Sequence, residues 1–299
     1  MESFEPENLN TEPETPIGEL ETLPDFPVVP PKKVKKRIPE LDLLRFVAIV
    51  LMFVVHYNYL LAFVFDGIWE YGDRLYSWVY SAENYFRTAY KPMQMTCGVM
   101  FTVLSGVTTS WTGGKKGVLK GAKYLAIAFG MTAVLWIFDL ITGFNLIIIF
   151  GVIHMLASSM LLYSALKLLF FKVFKTREYV FWTVITALGI ALALIGFLID
   201  LDAVRVNTNI FAFIGLTDGA FYSADYYPML PWTGLFFIGA AAGSIIYRDK
   251  KTKFPFLENR AAQTVLKPFT TIGRYSIQFY LVHQVALFGI FYLLGLVFN

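Results

Sequence analysis

Residues Glu40–Tyr57 read ELDLLRFVAIVLMFVVHY, an apolar run with Asp42 and Arg45 near one end and His56 deep inside it. A helix turns about 100° per residue, so the steps from Arg45 to His56 make about three turns plus roughly 20° and cover about 16 Å. Both side chains fall on one face, and Asp42 lies one turn before Arg45 on much the same face. In a bilayer-spanning run these groups form a polar stripe through hydrocarbon. Such groups are costly there and face a bundle interior or a cavity.

The whole chain suits that setting. Hydrophobic residues make up 57% of the sequence, charged residues 16%, and the mean hydropathy is +0.57. That is too apolar for an ordinary soluble domain and points to an all-α integral membrane protein. Runs of about 20 apolar residues predict a bundle of about seven transmembrane helices, at about 41–65, 91–111, 120–142, 145–171, 179–200, 228–247 and 271–297. Residues 1–36 are expected to be a separate segment: an acidic, proline- and threonine-rich disordered tail ending in a basic cluster that begins KKVKK at Lys32. The membrane domain is expected over 37–299. A basic cluster before a first span predicts a cytoplasmic N-terminus; it leaves no need for a nucleic-acid partner. No basic n-region followed by an apolar h-region begins the sequence, so no cleaved signal peptide is expected.

Loop charges agree with that orientation. The expected inner loops carry Lys115, Lys116 and Lys120, then Lys172, Lys175 and Arg177, then Arg248, Lys250, Lys251 and Lys253. The expected outer loops carry Asp66, Glu70, Asp73 and Glu83, then Asp200, Asp202 and Asp218, with fewer basic residues. The outer stretch 66–90 is strongly aromatic and reads as a segment lying at the membrane interface. Gly239 and Gly243 form a small-residue pair suited to close helix packing.

All three histidines, His56, His154 and His283, fall inside expected spans. At about 1.5 Å per residue they sit at middle to outer depth, with His154 about 13 Å below the outer end of its span. Asp139 approaches the outer end of the third span, and Asp225 lies at the outer mouth. Arg45 and Arg274 sit near the inner face. This polarity suits a tunnel in which an anionic donor meets the arginines, which bind phosphate in a planar fork. Its reactive end then reaches imidazoles able to act as general base. Each histidine alone also fits an interhelical hydrogen bond.

Other chemistries lack their residues. No Gly-rich phosphate loop or dinucleotide fingerprint occurs. The single Cys97 excludes an internal disulfide and a cysteine-based metal site, no HExxH or Cys/His spacing suggests a metal, and no metal cofactor is expected. Residues 271–297 contain no lysine for a retinal Schiff base.

Five segments in order carry a family resemblance: Glu40–His56, FTVLSGVTTS at 101–110, FGVIHML at 150–156, DYYPMLPWTG at 225–234 and GRYSIQFYLVHQ at 273–284. Together they resemble the prokaryotic relatives of the heparan-alpha-glucosaminide N-acetyltransferase catalytic domain, within the transmembrane acyltransferase superfamily. The resemblance covers about residues 37–297. It implies a multi-pass cell-membrane enzyme that moves an acyl group, usually acetyl from acetyl-CoA or another acyl-CoA, to a hydroxyl or amine of a glycan or other small acceptor across the bilayer. By that likeness His56 matches the proposed catalytic base and Arg45 the donor-binding arginine, while His154, Asp225 and His283 match further motif positions. Family members do not all place the base in the first helix, so His154 stands beside His56 as a candidate. The small residue usual after the arginine is Phe46 here. A proton-coupled transporter or exporter, with histidines and aspartates relaying protons, is the alternative class.

Overall fold

Pro39 opens the first helix, where a missing N–H costs no hydrogen bond, and Glu40 and Asp42 place negative charge in its first turn, the favourable end of the helix dipole. In the computed structural model, residues 37–60, 90–112, 114–199, 204 and 206–298 are described. They form eight α-helices and no sheet: α1 Pro39–Tyr59, α2 Lys91–Thr109, α3 Gly114–Thr142, α4 Val152–Leu168, α5 Glu178–Leu198, α6 Met229–Ile246, α7 Arg260–Arg274 and α8 Ser276–Phe298. A π-helical turn, Leu169–Val173, extends α4. The expected tail, most of the basic cluster, the aromatic stretch up to Arg87–Ala89, and Asp200 and Asp202 lie outside the described residues.

Five helices, α3, α4 (with its π turn), α5, α6 and α8, are long and apolar enough to cross a membrane. Their exposure says the same. Leu140 and Ile141 on α3 are 69% and 78% exposed, and Val285 on α8 is 71% exposed. Apolar surface on this scale is stable only against lipid. The chain is therefore a multi-pass helical membrane protein.

At the centre lies α6, which buries Trp232, Phe236 and Phe237 and a run of small residues. Gly239 and Gly243 abut the backbone of Val103 and Val107 on α2, and Gly234 abuts Gly189 and Ala193 on α5. A side chain at any of these would collide with main chain, so the glycines set how closely α2, α5 and α6 approach. The α1 face bearing Leu41, Ala48, Ile49, Met52 and Val55 is buried, at the spacing of one helical stripe. It packs against α2, α7 and α8.

Two expected span boundaries are corrected. The fourth helix starts at Val152, not 145. Gly143 and Asn145 take positive φ values of 75° and 55°, and the chain then runs without helix to Gly151 beside the segment before α6. There the Ala224 and Tyr227 N–H groups donate to the carbonyls of Ile147 (2.9 Å) and Phe150 (3.0 Å). The seventh expected span divides at Tyr275, a non-helical residue between α7 and α8. Gly273 there lies directly against the Asp42 carbonyl oxygen, which docks the end of α7 onto α1. Glu40 is held from the loop between α6 and α7 by the Thr252 hydroxyl (2.7 Å) and the Lys253 N–H (2.8 Å).

Candidate active site

Two cavities lie toward opposite ends of α1. The one near its N-terminal end, about 370 Å³, is lined by Arg37, Arg45, Lys120 and Arg274, with Tyr124 and Ser276 among the other polar walls. No carboxylate among the described residues lines it. Asp42 stands just behind, accepting from Arg45 at 2.9 Å and Arg37 at 3.3 Å. It thereby fixes two guanidinium groups, and Lys120 and Arg274 line the same wall. Four cations around a cavity in the small-ligand size range suit a multiply charged anion such as a phosphate ester. Arg45 and Arg274, 229 positions apart in sequence, are thus brought together as expected, and Arg37 and Lys120 join them.

The second cavity, about 260 Å³, lies near the C-terminal end of α1. His56, Asp225, Tyr59, Tyr90, Tyr227 and Tyr280 line it, with Lys91 and Gln94 from the start of α2. The cavities share three wall residues, Phe101, Val152 and Tyr280.

Hydrogen bonds assign the histidine tautomers. His56 Nδ1 lies 2.9 Å from the Met52 carbonyl. A carbonyl only accepts, so Nδ1 carries the proton and neutral His56 keeps its lone pair on Nε2. His283 repeats the arrangement, with Nδ1 donating to the Tyr280 carbonyl at 2.6 Å. Its buried Nε2 has no partner among the described residues, and its ring stands edge-on to His56 with centroids 4.7 Å apart.

His154 is built the other way. It sits in the first turn of α4, fully buried, not well inside a span. The Gly151 N–H donates to its Nδ1 at 3.3 Å. Nε2 then bears the proton and donates to the Thr132 hydroxyl at 3.3 Å, which donates in turn to the Ile148 carbonyl. Both ring nitrogens are committed to holding the 143–151 connection, and His154 lines neither cavity. Asp139 is equally local: its Oδ1 accepts from the Leu146 N–H at 2.7 Å, which caps the same turn, and it too lines neither cavity.

Asp225 ties three elements together. Its Oδ2 accepts from the Val152 N–H at 3.1 Å and from the Tyr280 hydroxyl at 2.8 Å. Burial pushes its carboxyl above the ordinary range, opposed by those two donors and by His283. Burial and the nearby Asp225 also push the Tyr227 phenol up.

The geometry is that of two adjoining cavities, one lined by four cationic side chains and the other by a histidine and a carboxylate. The family model of the heparan-alpha-glucosaminide N-acetyltransferase catalytic domain matches residues 37–285. The chain belongs to that family. No curated protein and no solved structure matches it. The heparan-alpha-glucosaminide N-acetyltransferase catalytic family is one of membrane acyltransferases, and the matched range holds both cavities and all three histidines. Among the described residues no group of histidine, cysteine or carboxylate side chains is placed to hold a metal ion.

The sequence reading did not single out Tyr280, Tyr90, Tyr227 or Gln94. One signal for Tyr280 was available: it precedes His283 by three residues in a helix and so shares its face.

Proposed function

We propose that this protein is an acyl-CoA-dependent membrane acyltransferase that passes an acetyl group, or a short acyl relative, from a cytoplasmic donor to a hydroxyl or amine of a glycan on the far side. The observation that carries this reading is the pair of cavities back to back along α1, cationic at one end and bearing His56 at the other. In it α1 and α2 also cross the bilayer, giving seven spans, and the N-terminus lies in the cytoplasm. The basic loops flanking Lys115–Lys120, Lys172–Arg177 and Arg248–Lys253 support that orientation. The membrane is the cell membrane.

Donor phosphates lie among Arg37, Arg45, Lys120 and Arg274, with Asp42 holding the first two arginines in place. The thioester reaches the shared wall. Acceptor enters from the other end between Tyr59, Tyr90 and Tyr227, whose rings offer apolar faces to a sugar and whose hydroxyls offer polar handles. His56 Nε2 takes the acceptor's proton. His283 packs against His56 and fixes its ring, and His154 positions the start of α4. The fixed Nδ1–H tautomer of His56 supports its choice over His154, whose Nε2 is engaged.

The test is thioester consumption by the purified protein in lipid nanodiscs, with acetyl-CoA and a panel of amino sugars and glycans. Transfer that requires His56 and Arg45 is the expected result. A folded protein that neither binds nor consumes any acyl-CoA overturns the reading, and proton-coupled transport in liposomes then becomes the assay.

A further inference from the structure

Of the three residues walling off one cavity from the other, Phe101 and Val152 present apolar side chains, and Tyr280 alone presents a polar one. A thioester whose phosphate end lies among the arginines, and whose carbonyl carbon meets an acceptor beside His56, has its carbonyl at this wall. A developing oxyanion there needs a donor aimed at it, and the side-chain donor at hand is the Tyr280 hydroxyl. We infer that Tyr280 is a catalytic residue, the hydrogen-bond donor to the carbonyl oxygen of the acyl donor during transfer. The inference rests on the acyl-transfer reading and adds the residue that stabilises its charged intermediate.

Four features prepare Tyr280 for this. Its hydroxyl donates to Asp225 Oδ2 at 2.8 Å, and Asp225 itself lines the cavity that holds His56. Rotation about the Cζ–O bond moves that proton to a substrate oxygen without moving the ring. Asp225 keeps the Val152 N–H, 3.1 Å away, when the phenol turns. Finally, Val152 is the first residue of α4, so the positive end of a 17-residue helix faces the same wall.

The step balances as follows. The acceptor's lone pair forms a bond to the thioester carbonyl carbon, and its proton passes to His56 Nε2. The carbonyl π pair moves onto oxygen, where it receives the Tyr280 hydrogen bond. That pair returns, the carbon–sulfur bond breaks with its electrons on sulfur, and the thiolate takes the proton from His56. Thioester and acceptor become acylated acceptor and free thiol.

The experiment compares wild type with Tyr280→Phe in nanodiscs, reading thiol release from acetyl-CoA and binding of a non-hydrolysable CoA thioether. Phe keeps the ring that walls the two cavities. The expected result is a fall in kcat of about 100- to 1,000-fold, the cost of losing one oxyanion donor, with thioether affinity unchanged and melting temperature lowered only by the loss of one hydrogen bond to Asp225. Fluorotyrosines placed at 280 should alter kcat in step with phenol acidity, which a purely structural role would not do. A Tyr280→Phe protein that turns over at the wild-type rate overturns the inference, as does a loss confined to KM. Wild type inert toward every acyl-CoA sinks the acyl-transfer reading itself, whereas the first two outcomes leave that reading standing.

Discussion

His56 on α1 and His283 on α8 stand edge to face with ring centroids 4.7 Å apart, and each donates its Nδ1 proton to a carbonyl of its own helix. Only His56 lines the cavity that also holds Asp225. His56→Ala should therefore cut kcat by about 10²- to 10⁴-fold, the range for loss of a general base, with binding of a CoA thioether retained. His283→Ala should cost less, since it loosens a neighbour and removes no proton acceptor from the cavity. Steady-state thiol release for the two variants checks the order; a larger loss at His283 reverses the assignment.

Arg45 is held by Asp42 at 2.9 Å and lines the cationic cavity with Arg274. A hydrogen bond to a charged group contributes about 1.5–3 kcal/mol. Arg45→Ala and Arg274→Ala should each weaken CoA binding by about 10- to 100-fold on that basis. Dephospho-CoA or pantetheine donors should be less sensitive than CoA. Calorimetric titration of each ligand in nanodiscs reads the difference, and equal losses for all donors would place the arginines away from the phosphates.

Asp225 supplies a pH dependence whose sign is fixed by burial. Its folded-state carboxyl titrates above the ordinary carboxylate range, chiefly through desolvation, with the Val152 N–H, the Tyr280 hydroxyl and His283 opposing. On raising the pH through the window between the ordinary and the raised value, the unfolded chain releases its proton first. Stability from this group is full below that window and declines as pH rises through it. Melting temperature in detergent should fall correspondingly, and Asp225→Asn should flatten that slope. A wild-type melting curve that rises across the same window contradicts the prediction.

Close backbone contact at the glycines gives a stability test away from the chemistry. A Cβ at Gly239 would run into the Val103 backbone, with its Cα at 2.9 Å, and one at Gly243 would reach the Val107 Cα at 2.7 Å. Overpacking of this kind typically costs about 1–3 kcal/mol. Gly239→Val and Gly243→Val should each lower the melting temperature, while Gly289→Ala, with nothing within 4 Å of the added carbon, should leave it unchanged.

The placement of α1 was readable because a helical period alone decides which residues share a face, and Asp42, Arg45 and His56 obey it. The start of α4 was not. Residues 144–151, FNLIIIFG, are as apolar as a helix core. What stops them from being helical is Asp139 capping Leu146, the left-handed Asn145 and hydrogen bonds to residues 224 and 227, and hydropathy records none of these. The same omission set His154 too deep. The α7–α8 division escaped for a related reason: a distant carbonyl, that of Asp42, requires Gly273. Arg45 and Arg274 do line one cavity, because arginine is costly in hydrocarbon and is placed where a polar cavity receives it. Tyr280 was passed over because tyrosine is ordinary in a membrane helix, and its importance comes from a wall that only the packed helices create.

That wall has an electrical consequence. Two water-accessible chambers set end to end through a bilayer would short-circuit an energised membrane unless something insulated them. Moving one elementary charge across the membrane is worth about 2.3 kcal/mol per 100 mV; in the proposed orientation, with one cavity opening to each side, the residues common to both, Phe101, Val152 and Tyr280, are where that potential falls. In that orientation Phe101→Ala is expected to raise proton leak in liposomes.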